Sequence, residues 1–105
     1  MKFELEFTAE ADKDLEEFNS EQKRQINIQI EKFAENPLPK NEGGYGNPLG
    51  NKQGRNLTGL CKIVLKKLGA RVVYKLIRTD EIMQIVVIAA RADEEVYDIA
   101  AKRNI

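Results

Sequence analysis

The sequence contains no histidine, no tryptophan and a single cysteine among its 105 residues. Without histidine it lacks the commonest zinc ligand, the usual general base at neutral pH and the base of a serine or cysteine triad. The lone cysteine, Cys61, excludes an internal disulfide and a zinc site of four sulfurs. No glycine-rich loop has the pattern of a nucleotide fingerprint. We therefore expect no metal and no other cofactor, and any catalysis has to use different side chains.

Long apolar segments are also missing. The longest, residues 85–90, has six residues and is too short to span a membrane, and the N-terminus lacks the apolar region of a signal peptide. With a single cysteine, this predicts a cytoplasmic protein that does not bind membranes. A chain of this length with 42% hydrophobic and 32% charged residues predicts one globular domain over residues 1–105.

Charge is distributed unevenly, although 17 Lys and Arg balance 17 Asp and Glu. Residues 1–36 hold five cations against ten carboxylates, a net charge of −5. Residues 37–91 hold ten against three, a net charge of +7, and residues 92–105 hold two against four, a net charge of −2. A neutral chain can therefore present a basic face to a polyanion.

The spacing of apolar residues predicts the first half of the fold. Apolar and polar residues alternate over residues 3–7, as in a half-buried strand. Two amphipathic helices are expected over about residues 9–18 and 20–35, with Thr8 and Ser20 as their N-caps. The short link between them predicts a helical hairpin that packs on a sheet.

Turn residues and a second set of strands follow. Residues 37–56 hold three prolines and five glycines and predict a long, flexible loop. Strands are expected over about residues 61–66, 71–78 and 82–90, antiparallel because short turns join them, with the last one buried on both faces. A final helix begins near Asp93. The order βααβββα predicts an α+β domain with a small antiparallel sheet, an N-terminal helical hairpin and a C-terminal helix.

Cations are concentrated on the predicted strands. Lys62 and Lys66 share one sheet face if the alternate apolar residues face the helices, and Arg71 and Lys75 occupy the same face of the next strand. Such a face could bind phosphates, but a solvated exterior would carry the same residues. The pattern alone does not choose between the two.

Several short motifs occur in a fixed order along the chain. They are Asp14-Leu15, Asn36-Pro37, Leu57-Thr58-Gly59, Lys62-Ile63-Val64-Leu65, Gly69-Ala70-Arg71-Val72-Val73-Tyr74, Arg91, Glu95-Val96-Tyr97 and Ala101-Lys102-Arg103. Together they resemble the RelE/ParE superfamily of bacterial toxins over nearly the whole chain. The resemblance implies the same fold that the periodicity predicts, and a cognate antitoxin as partner in a hetero-oligomeric complex.

Within that superfamily the RelE branch consists of ribosome-dependent endoribonucleases that cut mRNA. Its members surround the scissile phosphate with a strand lysine, an arginine after the hairpin glycine, an arginine that ends the last strand, and a helix tyrosine. The resemblance assigns these catalytic roles to Lys62, Arg71, Arg91 and Tyr97, with the ribosome and mRNA as partners. The family's second strand lysine is Val64 here, which departs from the pattern. The further cations expected to bind RNA are Arg55, Lys66, Lys67 and Lys75.

Metal-independent RNA cleavage is compatible with these four side chains. The ribose 2′-OH attacks the adjacent phosphorus, which leaves a 2′,3′-cyclic phosphate and a 5′-OH, and the reaction needs a base and cations around the phosphate. Tyr97 is the expected base, since Lys62 and Arg71 would favour its phenolate form. Arg71 would bind phosphate oxygens through two contacts, and Arg91 would bind phosphate or lie beside the leaving group. The ribosome would supply the orientation of the mRNA.

Other readings stay open at this point. The valine at position 64 and the zero net charge favour a ParE-like toxin without catalysis, which would bind DNA gyrase. A non-toxic interaction module is a third alternative. Tyr97 could simply pack the last helix on the sheet, and Arg91 could form a surface ion pair with Glu94 or Glu95.

Overall fold

The predicted order of helices and strands is present, with one strand more than expected. The computed structural model describes residues 2–52 and 54–104. Its elements are β1 (Glu4–Phe7), α1 (Ala9–Glu16), α2 (Ser20–Ala34), a 3-10 turn (Lys40–Glu42), β2 (Asn47–Lys52), β3 (Arg55–Leu65), β4 (Ala70–Ile77), β5 (Ile82–Ala89) and α3 (Asp93–Arg103). Within these described ranges no helix has both the length and the apolar character needed to cross a membrane.

The five strands form one sheet in the order β1-β5-β4-β3-β2. β3, β4 and β5 are antiparallel, as the short turns predicted. β1, however, pairs with β5 in parallel, so the sheet is mixed rather than wholly antiparallel. Short turns determine direction only between consecutive strands, and β1 and β5 are separated by almost the whole chain. The alternation within β1 therefore contained no information on its neighbour.

The expected loop over residues 37–56 is in large part structured, which corrects that prediction. It contains the 3-10 turn and β2, and β3 already begins at Arg55; residue 53 lies outside the described residues. β2 is an edge strand with a register shift between Pro48 and Gly50, where a missing N–H and an irregular ladder are tolerated. Its stabilisation comes from backbone pairing with β3 and from the buried Leu49, neither of which a composition rich in proline and glycine reveals.

Polar contacts with β4 also hold the segment between α2 and β2. The hydroxyl of the buried Tyr74 donates a hydrogen bond to the Pro37 carbonyl at 2.8 Å. Arg78 donates two hydrogen bonds to the Glu42 carboxylate at 2.7 and 2.8 Å, and this contact lowers the pKa of Glu42. Burial beside Cys61 raises the pKa of Tyr74, so the hydroxyl stays protonated and keeps its donor role.

Helix starts follow the expected capping chemistry with one shift. The Thr8 hydroxyl accepts a hydrogen bond from the Ala11 N–H at 3.1 Å, which confirms Thr8 as the N-cap of α1. The cap of α2 is Asn19 rather than Ser20. Asn19 and Gln22 form a reciprocal capping box, with hydrogen bonds of 2.8 and 2.9 Å. Asparagine caps as well as serine, and a glutamine three residues later favours the earlier start.

Each face of the sheet has its own apolar core. The hairpin face, covered by α1 and α2, is built from Ala11, Ile26, Ile30, Cys61, Ile63, Val72, Tyr74, Met83, Ile85 and Ile88. The opposite face, which we name the α3 face, packs against α3 and is built from Leu49, Leu57, Leu60, Val73, Val87, Ala89, Val96, Tyr97 and Ala100. β5 contributes to both cores, as its apolar residues on both parities predicted.

One side-chain pair covers the part of β5 that extends beyond β1. The Asp14 carboxylate accepts a hydrogen bond from the Ile88 N–H at 3.0 Å, and Arg103 donates to the Val86 carbonyl at 2.8 Å. Arg103 also donates to Asp14 at 2.7 Å, and only 23% of the Arg103 side chain and 17% of the Asp14 side chain are exposed. This edge pair (Asp14 and Arg103) joins α1, β5 and the end of α3, and it satisfies strand groups that have no neighbouring strand.

Candidate active site

Register places two of the predicted catalytic cations side by side. Lys62 of β3 lies opposite Val73 of β4, and Arg71 lies two residues before Val73, so Lys62 and Arg71 are diagonal neighbours on the α3 face. Arg71 in turn lies opposite Ala89, the last residue of β5. Because α3 begins four residues later, at Asp93, its first turn contacts both cations.

Tyr97 meets Lys62 through its hydroxyl. The Lys62 ammonium donates a hydrogen bond to the Tyr97 oxygen at 2.9 Å and lies 5.4 Å from the centre of the ring. The tyrosine is 9% exposed and belongs to the core of the α3 face. The ring therefore packs α3 on the sheet, as the structural interpretation expects, and its oxygen contacts Lys62; the catalytic role of Tyr97 stays a prediction.

A carboxylate that the sequence did not identify bridges the two cations. Asp93 Oδ1 accepts a hydrogen bond from Arg71 Nε, and Asp93 Oδ2 lies 3.3 Å from Lys62 Nζ. Partial burial opposes ionisation of Asp93, but the contacts with Arg71 and Lys62 outweigh it and hold the pKa of Asp93 below its usual range. For Lys62, burial lowers the pKa, and the contacts with Tyr97 and Asp93 outweigh it, so the pKa lies above its ordinary value. Lys62 and Asp93 are therefore both charged at neutral pH.

Arg91 is placed at the cluster by its backbone, while its side chain turns outward. Its carbonyl accepts a hydrogen bond from Arg71 Nη1 at 2.8 Å. Its guanidinium pairs with Glu95 at 3.1 Å, and both side chains are more than half exposed, which is the surface ion pair considered as an alternative. The structure thus brings Lys62, Arg71 and Tyr97 into one cluster and leaves the Arg91 guanidinium paired at its rim.

The four cations expected to bind RNA have different surroundings. Arg55 donates to Asp98 of α3 at 2.5 Å and is 22% exposed. Lys66, Lys67 and Lys75 are exposed, the first two where β3 turns into β4 and the third on β4. None of these contacts assigns a ligand, so their role stays a prediction.

The departure at position 64 is exposed and next to the cluster. Val64 lies opposite Arg71 in the β3–β4 ladder, and 37% of its surface is accessible. A lysine there would reach the same surface as Lys62, two residues away on the same face. The valine therefore removes one cation from the cluster without contributing to the core.

Comparison with known proteins identifies solved structures with a similar fold. The sequence matches no family model and no curated protein sequence. Among solved structures, a mutant of the E. coli toxin RelE in the free state is 25% identical, with a TM-score of 0.78 over 100% of both chains. The intact E. coli RelBE toxin–antitoxin complex matches at 21% identity and a TM-score of 0.67, over 86% of this chain and 98% of that chain.

A second species gives the same result. The RelBE2 toxin–antitoxin complex of Mycobacterium tuberculosis is 21% identical, with a TM-score of 0.57 over 87% of this chain and 100% of that chain. The similarity to the free E. coli RelE mutant extends over the whole chain and so includes the hairpin, the sheet and the helix that carry the cluster. The chain therefore has the fold of the RelE toxins.

Proposed function

We propose that this chain is the toxin of a type II toxin–antitoxin pair and that it cleaves mRNA on the ribosome without a metal, in the cytoplasm. The observation that supports the nuclease most strongly is the 2.9 Å contact between Lys62 and the Tyr97 oxygen, with Arg71 beside it, on a RelE-like fold. A base candidate and two cations around one point form the minimum set for transesterification at phosphorus.

In this mechanism Tyr97 acts as the base. The ammonium of Lys62 donates a hydrogen bond to the Tyr97 oxygen and so lies beside the atom that accepts the proton. The phenolate takes the proton of the ribose 2′-OH, and the 2′-oxygen attacks the adjacent phosphorus. The bond to the 5′-oxygen breaks and that oxygen takes a proton from water, which leaves a 2′,3′-cyclic phosphate and a 5′-OH. The hydroxide formed takes the proton that Tyr97 had accepted and regenerates the base.

The arginines stabilise charge on the phosphate. Arg71 presents a planar fork that matches two phosphate oxygens, and its hydrogen bond to the Arg91 carbonyl fixes its orientation. A guanidinium is too weak an acid to protonate the leaving group, so Arg91 acts through its charge. It is more than half exposed and reaches the phosphate once its ion pair with Glu95 opens. Orientation of mRNA by the ribosome supplies the rest of the rate.

The proposed partner outside catalysis is a cognate antitoxin. Two of the similar structures are complexes of a RelE-type toxin with its antitoxin. The segment over residues 37–91 has a net charge of +7, so acidic or helical antitoxin segments would complement it and form a hetero-oligomeric complex.

A second candidate function is inhibition of DNA gyrase by binding, as in the ParE branch. Two observations favour it: Val64 replaces a family lysine, and Asp93 already pairs with both Lys62 and Arg71. Gyrase-linked DNA damage in the absence of new mRNA ends would support this candidate and contradict the nuclease. Expression without any effect on growth would instead support a non-toxic interaction module.

Expression of the chain without a partner tests the proposal. We expect growth arrest and new 5′ ends within translated mRNA by primer extension, both relieved in the variants Arg71→Ala, Arg91→Ala and Tyr97→Phe. Lys2→Ala, an exposed lysine of the N-terminal segment, is the control that should stay toxic. Full toxicity in all three site variants would contradict the nuclease mechanism.

A lysine at position 64 should increase activity. Val64→Lys adds a cation opposite Arg71 on an exposed position, and we expect cleavage of ribosome-bound mRNA to rise about three- to tenfold at low salt, with a smaller gain at high salt. Val64→Gln is the matched control for length and polarity, and initial cleavage rates are the measurement. Equal rates for the lysine and glutamine variants would show that this position does not act through charge.

A further inference from the structure

The Asp93 carboxylate occupies the point where the two catalytic cations converge. One oxygen accepts from Arg71 Nε and the other lies 3.3 Å from Lys62 Nζ. No other carboxylate among residues 2–52 and 54–104 forms an ion pair with either cation. A single internal anion therefore contacts both cations that the proposed mechanism needs for phosphate and offsets one of their two positive charges.

The Asp93 side chain is more exposed to solvent than the two cations that it contacts. The side chain of Asp93 is 42% exposed, against 19% for Lys62 and 24% for Arg71. An anion from solution that binds these cations therefore has to compete with a carboxylate that is already in contact with both. Since phosphate and carboxylate oxygens accept from the same ammonium and guanidinium donors, the two anions compete for them.

The position of Asp93 in α3 gives it a further anion-favouring contact. Asp93 is the first residue of the helix, where unpaired backbone N–H groups attract negative charge, and the preceding Ala92 has no side chain that could cap them. With Lys62 and Arg71 beside it, this is an environment suited to an anion. The chain supplies that anion itself.

On the basis of the proposed function, we propose that Asp93 is an internal competitor for the RNA phosphate, bound to Lys62 and Arg71 until the substrate displaces it. The carboxylate thereby lowers affinity for isolated phosphates and for loosely held RNA. Only a phosphodiester that is delivered at high effective concentration and fixed orientation, as on the ribosome, displaces it. Asp93 is then a residue that sets selectivity for oriented substrate.

If Asp93 instead positions the two cations for phosphate, its removal should change the affinity for anions in the opposite direction. If Asp93 served only to position Lys62 and Arg71 for phosphate, its removal would leave two less ordered, mutually repelling cations and would weaken anion binding. If it competes, its removal exposes two unneutralised donors at a helix N-terminus and strengthens anion binding. The sign of the change in affinity separates the two roles.

The test titrates inorganic phosphate into the isotope-labelled protein and follows the amide signals of residues 62, 71 and 93–97 by NMR. Asp93→Asn keeps the shape of the side chain, and Asp93→Ser is a second variant compatible with a helix start. Asp80→Asn is the matched control, because it makes the same charge change on an exposed residue of the β4–β5 turn. We expect about tenfold tighter phosphate binding in both Asp93 variants than in the wild type and the control, equivalent to about 1.4 kcal/mol.

Binding by the Asp93 variants that equals or falls below that of Asp80→Asn would overturn the inference. The cleavage assay on the same proteins keeps this outcome separate from the proposed function. Tighter phosphate binding with no mRNA cleavage by any variant would leave the internal competitor standing and contradict the nuclease. Cleavage by the wild type without tighter phosphate binding in the variants would support the nuclease and contradict the competitor.

Discussion

Replacement of Tyr97 by phenylalanine is expected to reduce cleavage of ribosome-bound mRNA by about 10²–10⁴-fold, the usual contribution of a general base. The substitution removes only the hydroxyl that contacts Lys62, and it keeps the ring that packs α3 on the sheet. The melting temperature should therefore change little. Initial cleavage rates with equal amounts of folded protein are the measurement.

A tyrosine on the other face of the sheet provides the control. Tyr74→Phe also removes a hydroxyl, which donates to the Pro37 carbonyl and lies in the core of the hairpin face. We expect it to lower stability by about 1 kcal/mol and to leave the cleavage rate of the folded fraction unchanged. Retention of more than a tenth of the activity in Tyr97→Phe would exclude Tyr97 as the base.

Loss of the Asp14 carboxylate should lower the free energy of unfolding far more than loss of an exposed carboxylate. Asp14→Ala leaves the Ile88 N–H without its acceptor and removes the carboxylate that binds Arg103. Both side chains of this edge pair are less than a quarter exposed, so we expect the free energy of unfolding to fall by about 2 kcal/mol. The midpoint of urea unfolding measures the change.

Asp12→Ala is the matched control for this prediction. It lies in the same helix and is exposed, so its replacement should change the free energy of unfolding by less than about 0.5 kcal/mol. Equal shifts for the two variants would mean that helix α1 is sensitive to any lost aspartate and that the edge pair has no special role.

The spacing of apolar residues was sufficient to predict those parts of the fold that depend on local sequence. Alternation in β3 and β4 placed Lys62 and Arg71 on one face, and register makes them diagonal neighbours. The parallel pairing of β1 with β5 was missed because it depends on contacts distant in sequence. β2 was missed because its backbone pairs with β3 despite a composition typical of loops, which side-chain pattern does not encode.

The candidate site was predictable only as far as its cations and its tyrosine. Asp93 was predicted only as the start of the last helix, since its contacts depend on how α3 packs across the sheet and brings its first turn to Lys62 and Arg71. The alternation left open whether the α3 face was a solvated exterior. In the structure α3 covers much of it, so the cations lie at the border between a core and solvent.

The chemical ends of cleaved mRNA test the mechanism most directly. Attack by the 2′-oxygen, initiated by Tyr97, predicts fragments that end in a 2′,3′-cyclic phosphate and begin with a 5′-hydroxyl, formed only in the presence of ribosomes. Fragments that carry a 3′-hydroxyl and a 5′-phosphate would require attack by water and would contradict this use of the Lys62, Arg71 and Tyr97 cluster.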